Sequence, residues 1–129
     1  MKTEASTYSW DNLIRDKKTN WDGVRNFGAR NNLRAMKKGD LVFIYHSGDE
    51  KAIQGIAKVT HVATPDKTAK EGDWSAVQIA PVRALKNPLS LATIKKYQKL
   101  KEMVLVKNSR LSVQPVTNEE WKICIDIAK

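Results

Sequence analysis

The chain has 129 residues, 41% of them apolar and four of them Trp, enough for one domain with a packed core and too many for a disordered tail. Its single cysteine, Cys124, excludes an intramolecular disulfide and leaves any cysteine-based zinc or iron–sulfur site short of ligands. Lys and Arg number 23 against 14 Asp and Glu, a formal charge of +9 that is spread evenly: 11 basic and 7 acidic residues fall in 1–64, and 12 and 7 in 65–129.

The segment SWDNLIRD from Ser9 has a serine cap, an early Asp and apolar Trp10, Leu13 and Ile14, which predicts a short helix. A second helix is expected from Asn26 to Met36, stopped by Lys37, Lys38 and Gly39. LVFIYHS (41–47) is a continuous apolar run of strand length. After the turn SGDEKA, alternation from Ile53 to Thr64 predicts a second strand antiparallel to it. TPDKTAKEGD reads as a polar loop, and 74–85 as a third strand in which Pro81 signals an edge or a bulge. Ser90 caps an expected helix over 90–100 with Leu91, Ile94 and Tyr97 on its apolar face. Residues 105–116 read as a loop and a short last strand. Thr117 and Glu120 form a capping-box pattern that opens a helix running to position 129. The irregular order of strands and helices argues against a doubly wound parallel sheet and for a small, mainly antiparallel curved sheet or barrel.

No apolar run approaches the roughly 20 residues of a membrane span, and the polar start MKTEASTYSW lacks a signal peptide's apolar stretch. The expectation is a soluble, monomeric domain without a membrane partner, cytoplasmic or, in a eukaryote, nuclear. A body that is basic throughout attracts polyanions by counterion release from phosphates, although basicity can also serve solubility alone.

No phosphate-binding glycine loop or hydrolase elbow is present. His46 and His61 end neighbouring strands without a carboxylate at ligand spacing, so no metal site and no cofactor are expected. Cys124, between Ile123 and Ile125 on an amphipathic helix, reads as a buried thiol. The chemically rich stretch is Trp21–Arg34, with three Arg, three Asn, two aromatics and two Gly. Planar multi-donor heads suit phosphates and base edges, and flat rings suit base stacking. The same Trp21 and Phe27 could instead be core, with the Asn residues as caps. KNSRLSVQPV (107–116) alternates polar and apolar residues and could line a pocket or face solvent. The acid-free span 83–101 holds six basic residues, including Lys95, Lys96 and Lys99, which read slightly better as a solvated helix face than as a phosphate contact.

The blocks WDGVRNFGARNNLRAMKKGD, LVFIYHS, GIAKV, GDW and SRLSVQPVTNEEW resemble the EVE domain family of the PUA-like superfamily. The likeness covers essentially the whole chain, with WDGVRN-x-x-ARN and RLSVQPV its specific parts, and the layout is more distantly similar to YTH domains. The resemblance implies an α+β, PUA-like fold, a curved, mainly antiparallel β-barrel with peripheral helices, as one domain over 1–129. The family opens with an aromatic strand ahead of Lys-Ser/Thr-Glu, whereas Met1 stands directly before Lys2 here, so that first strand is expected to be missing or truncated.

The resemblance also implies a non-catalytic reader of nucleic acid, DNA or RNA, with a pocket for a modified base, modified cytosine in DNA first. Carried over by position, Trp21 is a stacking wall beside Gly23, Val24, Arg25 and Asn26, with Arg25 and Asn26 as donors. Tyr45, His46 and Ser47 form a strand-end wall, and Arg110, Leu111, Ser112 and Gln114 complete the pocket. Arg30, Arg34, Lys37 and Lys38 are the expected contacts to backbone phosphates. Two alternatives stand beside this reading: an enzyme acting on modified nucleic acid, with His46 its obvious titratable group, and a protein-interaction adaptor whose basicity serves solubility.

Overall fold

A computed structural model describes residues 1–108 and 110–128. Among them, strands β1 (Lys2–Glu4), β2 (Thr19–Trp21), β3 (Leu41–Ser47), β4 (Ala52–Pro65) and β5 (Ser75–Ser90) form one sheet in the order β1-β3-β4-β5-β2. Around it lie α1 (Trp10–Asp16), α2 (Phe27–Ala35), α3 (Leu91–Lys95), α4 (Val104–Lys107) and α5 (Asn118–Ile127), with a 3-10 turn at Gln98–Leu100. The pairings of β3 with β4, β4 with β5 and β5 with β2 are antiparallel, and β1 runs parallel to β3.

The stretch Val42–Tyr45 is apolar at every position because both faces of β3 are covered there. Val42 and Ile44 enter one core with Trp10, Leu13, Trp21 and Leu33. Phe43 and Tyr45 enter a second core with Ile53, Leu85, Ile94 and Cys124 on the opposite face. The β4–β5 ladder carries register shifts between Ile53 and Gly55, Ile56 and Ala57, Val59 and His61, and His61 and Thr64. Such bulges bend and twist a sheet, and this one is curled but open. Pro81 sits at one of them, paired with Ala57, and lies beyond the Val77–Ile79 stretch that β2 covers. A closed barrel therefore gives way to a curled sheet whose two outer strands, β1 and β2, are three residues each.

The helix starts follow their capping chemistry. Ser9 and Asn12 cap α1 reciprocally, Thr117 and Glu120 do the same for α5, and the Asn26 side chain accepts the Ala29 N–H of α2. The first strand is present and short: beside Lys2–Glu4, the Met1 carbonyl accepts the Tyr45 N–H at 2.9 Å. Several expectations are corrected. The strand β2 was not foreseen. The helix expected over 90–100 stops at Lys95, because Tyr97 takes an extended backbone (φ −97°, ψ 118°) that turns Leu100 into the second core and leaves Tyr97 exposed. Among the described residues of 105–116, no last strand forms. The segment's start is helix α4, and beyond it the Gln114 side chain donates to the Asn108 and Leu111 carbonyls in place of a ladder. The expected helix end at Lys129 lies outside the described residues.

Candidate nucleic-acid interface

A cavity of about 500 Å³ opens between the two outer strands of the sheet. Lys2 and Thr3 of β1 form one side and Thr19, Asn20 and Trp21 of β2 the other, with Thr7, Tyr8 and Ser112 between them and Asp22–Arg25 along the rim. Trp21 is 9% exposed and meets Tyr8 edge to face, ring centroids 6.3 Å apart at 88°. Tyr8 is in turn held at both ends, its hydroxyl donating to Asp16 at 2.8 Å and its carbonyl accepting from Thr3 Oγ1 at 2.8 Å. A backbone bond that ties 110–114 to the sheet also lies here, Lys2 N–H to the Ser112 carbonyl at 2.8 Å. Burial pushes the Lys2 ammonium below its ordinary value.

The rim is built on Asp66. The chain leaves β2 at Trp21 and turns through Gly23 at φ +76°, a conformation that suits glycine. The Gly23 N–H then donates to Asp66 Oδ2 at 2.9 Å, and Arg25 Nη1 donates to the same oxygen at 2.9 Å. Asp66 Oδ1 accepts from the Thr68 N–H at 2.8 Å and the Thr68 hydroxyl at 2.6 Å. Burial alone would raise the Asp66 carboxyl. The Thr68 hydroxyl, the Arg25 guanidinium and the two backbone N–H groups outweigh it and hold the carboxyl well below the usual carboxylate range.

Beside the rim, Phe27 and Trp74 stack with centroids 5.1 Å apart at 16°. The Arg25 guanidinium lies 5.6 Å from the Trp74 ring, and that of Arg30 5.0 Å from Phe27. Arg34 clamps the same loop, Nη2 to Asp73 Oδ1 at 2.6 Å and Nε to Ser75 Oγ at 2.9 Å, and Arg30 donates to the Asp73 carbonyl at 3.2 Å.

Of the residues expected to form a base pocket, Trp21, Gly23, Val24, Arg25 and Ser112 line this cavity. Asn26 is the cap of α2. Tyr45 and Gln114 line a different opening of about 580 Å³, between β3, α2 and the C-terminal helices. Ser47 pairs with Glu4, Leu111 packs on the first core, and Arg110 is exposed with its N–H on Asn108 Oδ1 at 3.3 Å. His46 is buried at 5% exposure: Nε2 accepts the Trp10 N–H at 2.9 Å, so Nδ1 carries the proton toward Glu50 Oε2 at 3.1 Å. Of the expected phosphate contacts, Lys37 and Lys38 are exposed in the turn after α2, whereas Arg30 and Arg34 already hold Asp73. Sequence reasoning missed Lys2, Thr3, Tyr8, Asn20, Asp66 and Trp74. The only available sign was an Asp and a Trp bracketing an otherwise featureless polar loop.

The arrangement offers a flat aromatic wall, hydroxyl and amide groups around it, and two cations at its mouth. It suits a planar, uncharged ring that hydrogen-bonds at its edge and trails an anion. Among the described residues, no three His, Cys, Asp or Glu are grouped to hold a metal ion, and no helix is long and apolar enough to cross a membrane.

A family model described as the EVE domain matches residues 1–127. Human thymocyte nuclear protein 1 is 40% identical over 132 positions, which take in 84% of this chain and 59% of that protein, so the chain spans about six tenths of that relative's length. Rpa0253 from Rhodopseudomonas palustris, solved by NMR, is 42% identical with a TM-score of 0.94, covering 99% of this chain and 90% of that one. The human THYN1 protein, crystallised in complex with 5-methylcytosine containing DNA, is 34% identical with a TM-score of 0.94, covering 100% of this chain and 95% of that one.

Proposed function

This chain belongs to the EVE domain family, and from that premise we propose that it binds DNA and receives a modified base, modified cytosine first, in the cavity beside Trp21. The observation that carries the reading is the cavity itself, an aromatic wall and edge-bonding groups set between two basic side chains, Lys2 and Arg25. The similar human protein's crystal structure with 5-methylcytosine containing DNA supports it.

The roles follow from position. Trp21 supplies stacking surface; Thr3, Asn20 and Ser112 reach the base edge; Arg25 and Lys2 face the phosphates; Lys37 and Lys38 extend the basic field. Extruding a base from its stack costs roughly a few kcal/mol, and stacking on an aromatic returns about 1–3 kcal/mol, so edge hydrogen bonds and phosphate contacts supply the surplus. The role is recognition without catalysis. Both His46 ring nitrogens are engaged within the fold, outside the cavity, whose lining residues include neither histidine nor cysteine. The domain acts as a monomer in this reading.

The test is fluorescence titration with matched DNA and RNA oligonucleotides carrying cytosine, 5-methylcytosine or 5-hydroxymethylcytosine, single- and double-stranded, at two salt concentrations. The expected result is tighter binding of modified DNA that falls steeply with salt, the preference vanishing in Trp21→Ala. Binding that is blind to modification would leave only a generic basic surface. A preference for RNA would reassign the partner, and salt-insensitive binding to neither would favour the adaptor reading.

A further inference from the structure

Phe27 leaves 65% of its surface to solvent, the most of any large apolar side chain among the described residues. A lone exposed phenylalanine asks for no explanation. Phe27 is not alone, however, because Trp74 stacks on one of its faces. The Arg30 guanidinium stands 5.0 Å from Phe27 and 5.9 Å from Trp74, and the rings stand 5.1 Å from each other. With both neighbours in place, Phe27 still leaves most of its surface to solvent.

The pair is also immobilised. Phe27 is the first residue of α2, directly after the Asn26 cap, and the loop carrying Trp74 is fastened to α2 through Arg34, Asp73 and Ser75. A rigid, uncovered aromatic face loses little freedom when something flat lands on it. Arg25 joins this face to the cavity, lining the cavity while its guanidinium lies 5.6 Å from the Trp74 ring. The charges around the pair are mixed: Arg25 pairs with Asp66 and Arg30 with Asp73, and the loop also carries Lys67, Lys70 and Glu71. An apolar protein surface would have to cover these charges, whereas a nucleobase stacks on the ring and leaves its phosphates to the arginines and lysines.

We propose that the Phe27–Trp74 pair is a second nucleobase subsite, which stacks on the base next to the one held in the cavity. The domain then reads two neighbouring nucleotides of one strand, with Arg25 facing the phosphate between them. The neighbour is recognised by ring area, so purines bind better than pyrimidines there. This rests on the cavity being the site of the modified base.

The experiment measures affinity for 5-methylcytosine DNA in which the neighbouring nucleotide, on either side, is adenine, thymine or an abasic residue. It compares the full chain with Phe27→Ala, Phe27→Tyr and Trp21→Ala. Phe27→Ala is expected to weaken binding roughly five- to a hundred-fold, the range of one lost aromatic–base stack, with Phe27→Tyr close to the parent. Removing the neighbouring base on the contacted side should weaken the parent by a similar factor and leave Phe27→Ala unchanged. The preference for 5-methylcytosine over cytosine should survive Phe27→Ala and vanish in Trp21→Ala. Equal loss in Phe27→Ala whatever the neighbour, or no loss, overturns the second subsite while leaving the cavity intact. A Phe27-dependent neighbour effect without any preference for 5-methylcytosine overturns the cavity reading and keeps the platform. Absence of binding overturns both.

Discussion

Arg25 and Asp66, 41 positions apart in the chain, meet at 2.9 Å with the carboxylate wholly buried and the guanidinium 39% exposed. The carboxylate is thus the fixed partner and the arginine the one it orients. Because Asp66 also holds the Gly23 N–H and both donors of Thr68, one side chain locks the cavity rim to the loop that carries Trp74.

Asp66→Asn keeps the shape but turns one acceptor into a donor facing donors. It is expected to cost about 2–3 kcal/mol in urea unfolding, less than a fully buried ion pair because Arg25 can turn to water. The parent should also lose stability in acid. Its carboxyl is held below the value of about 3.9 that it has unfolded, so the unfolded chain takes up the proton first as pH falls. That contribution is complete above about pH 5 and declines from about pH 4 downward. The decline should be shallower in Asp66→Asn.

A methyl group on Gly55 would stand 2.5–2.7 Å from three ring atoms of Trp10. Trp10 begins α1 and is itself buried, with no room to retreat. Gly55→Ala should therefore destabilise the fold by about 2–4 kcal/mol through overpacking, read as a lower thermal midpoint. Gly48→Ala, with nothing within 4 Å, meets only the cost of its positive φ, about 1 kcal/mol.

His46→Ala removes the acceptor of the Trp10 N–H and leaves that buried donor unpaired. The expected loss is about 1–3 kcal/mol of stability, with the preference among oligonucleotides unchanged at a temperature where the variant is folded. A loss of preference at full folding would place His46 in recognition instead.

Burial, helped by the nearby Glu120 carboxylate, pushes the Cys124 thiol up to about 11. At pH 8 the folded chain should resist an alkylating reagent and react only as fast as it unfolds. Labelling followed by mass spectrometry in increasing urea checks this, and rapid reaction without denaturant would contradict the burial.

Local signals carried much of the architecture. The caps of α1, α2 and α5 are each written within four residues, and the unbroken apolar run of β3 declared that both its faces are covered. Trp21, Gly23, Arg25 and Ser112 were legible as a group only through a family resemblance, because nothing local says that 21–25 and 112 meet. Strand β2 was invisible: three residues, two of them polar, form a strand only because β5 is there to pair with. Asp66 read as a loop residue and Trp74 as the first residue of a strand, since their partners, Arg25 and Phe27, lie more than 40 positions away in sequence. His46 misled for the opposite reason. Its strand-end position suggested a pocket, but its ring serves a helix terminus that packs there only in the folded chain.

The curl of the sheet has a bearing on solubility. An outer strand normally presents unpaired N–H and C=O groups to any extended chain that drifts past, and sheets that leave such strands long and flat polymerise. Here both outer strands are three residues long and turn toward the same narrow opening, where a backbone bond to Ser112 already occupies one of their donors. The geometry that leaves space for a ligand also denies a foreign strand the straight run it would need to add on. Side chains lining the opening can therefore be changed without offering the sheet a template for aggregation.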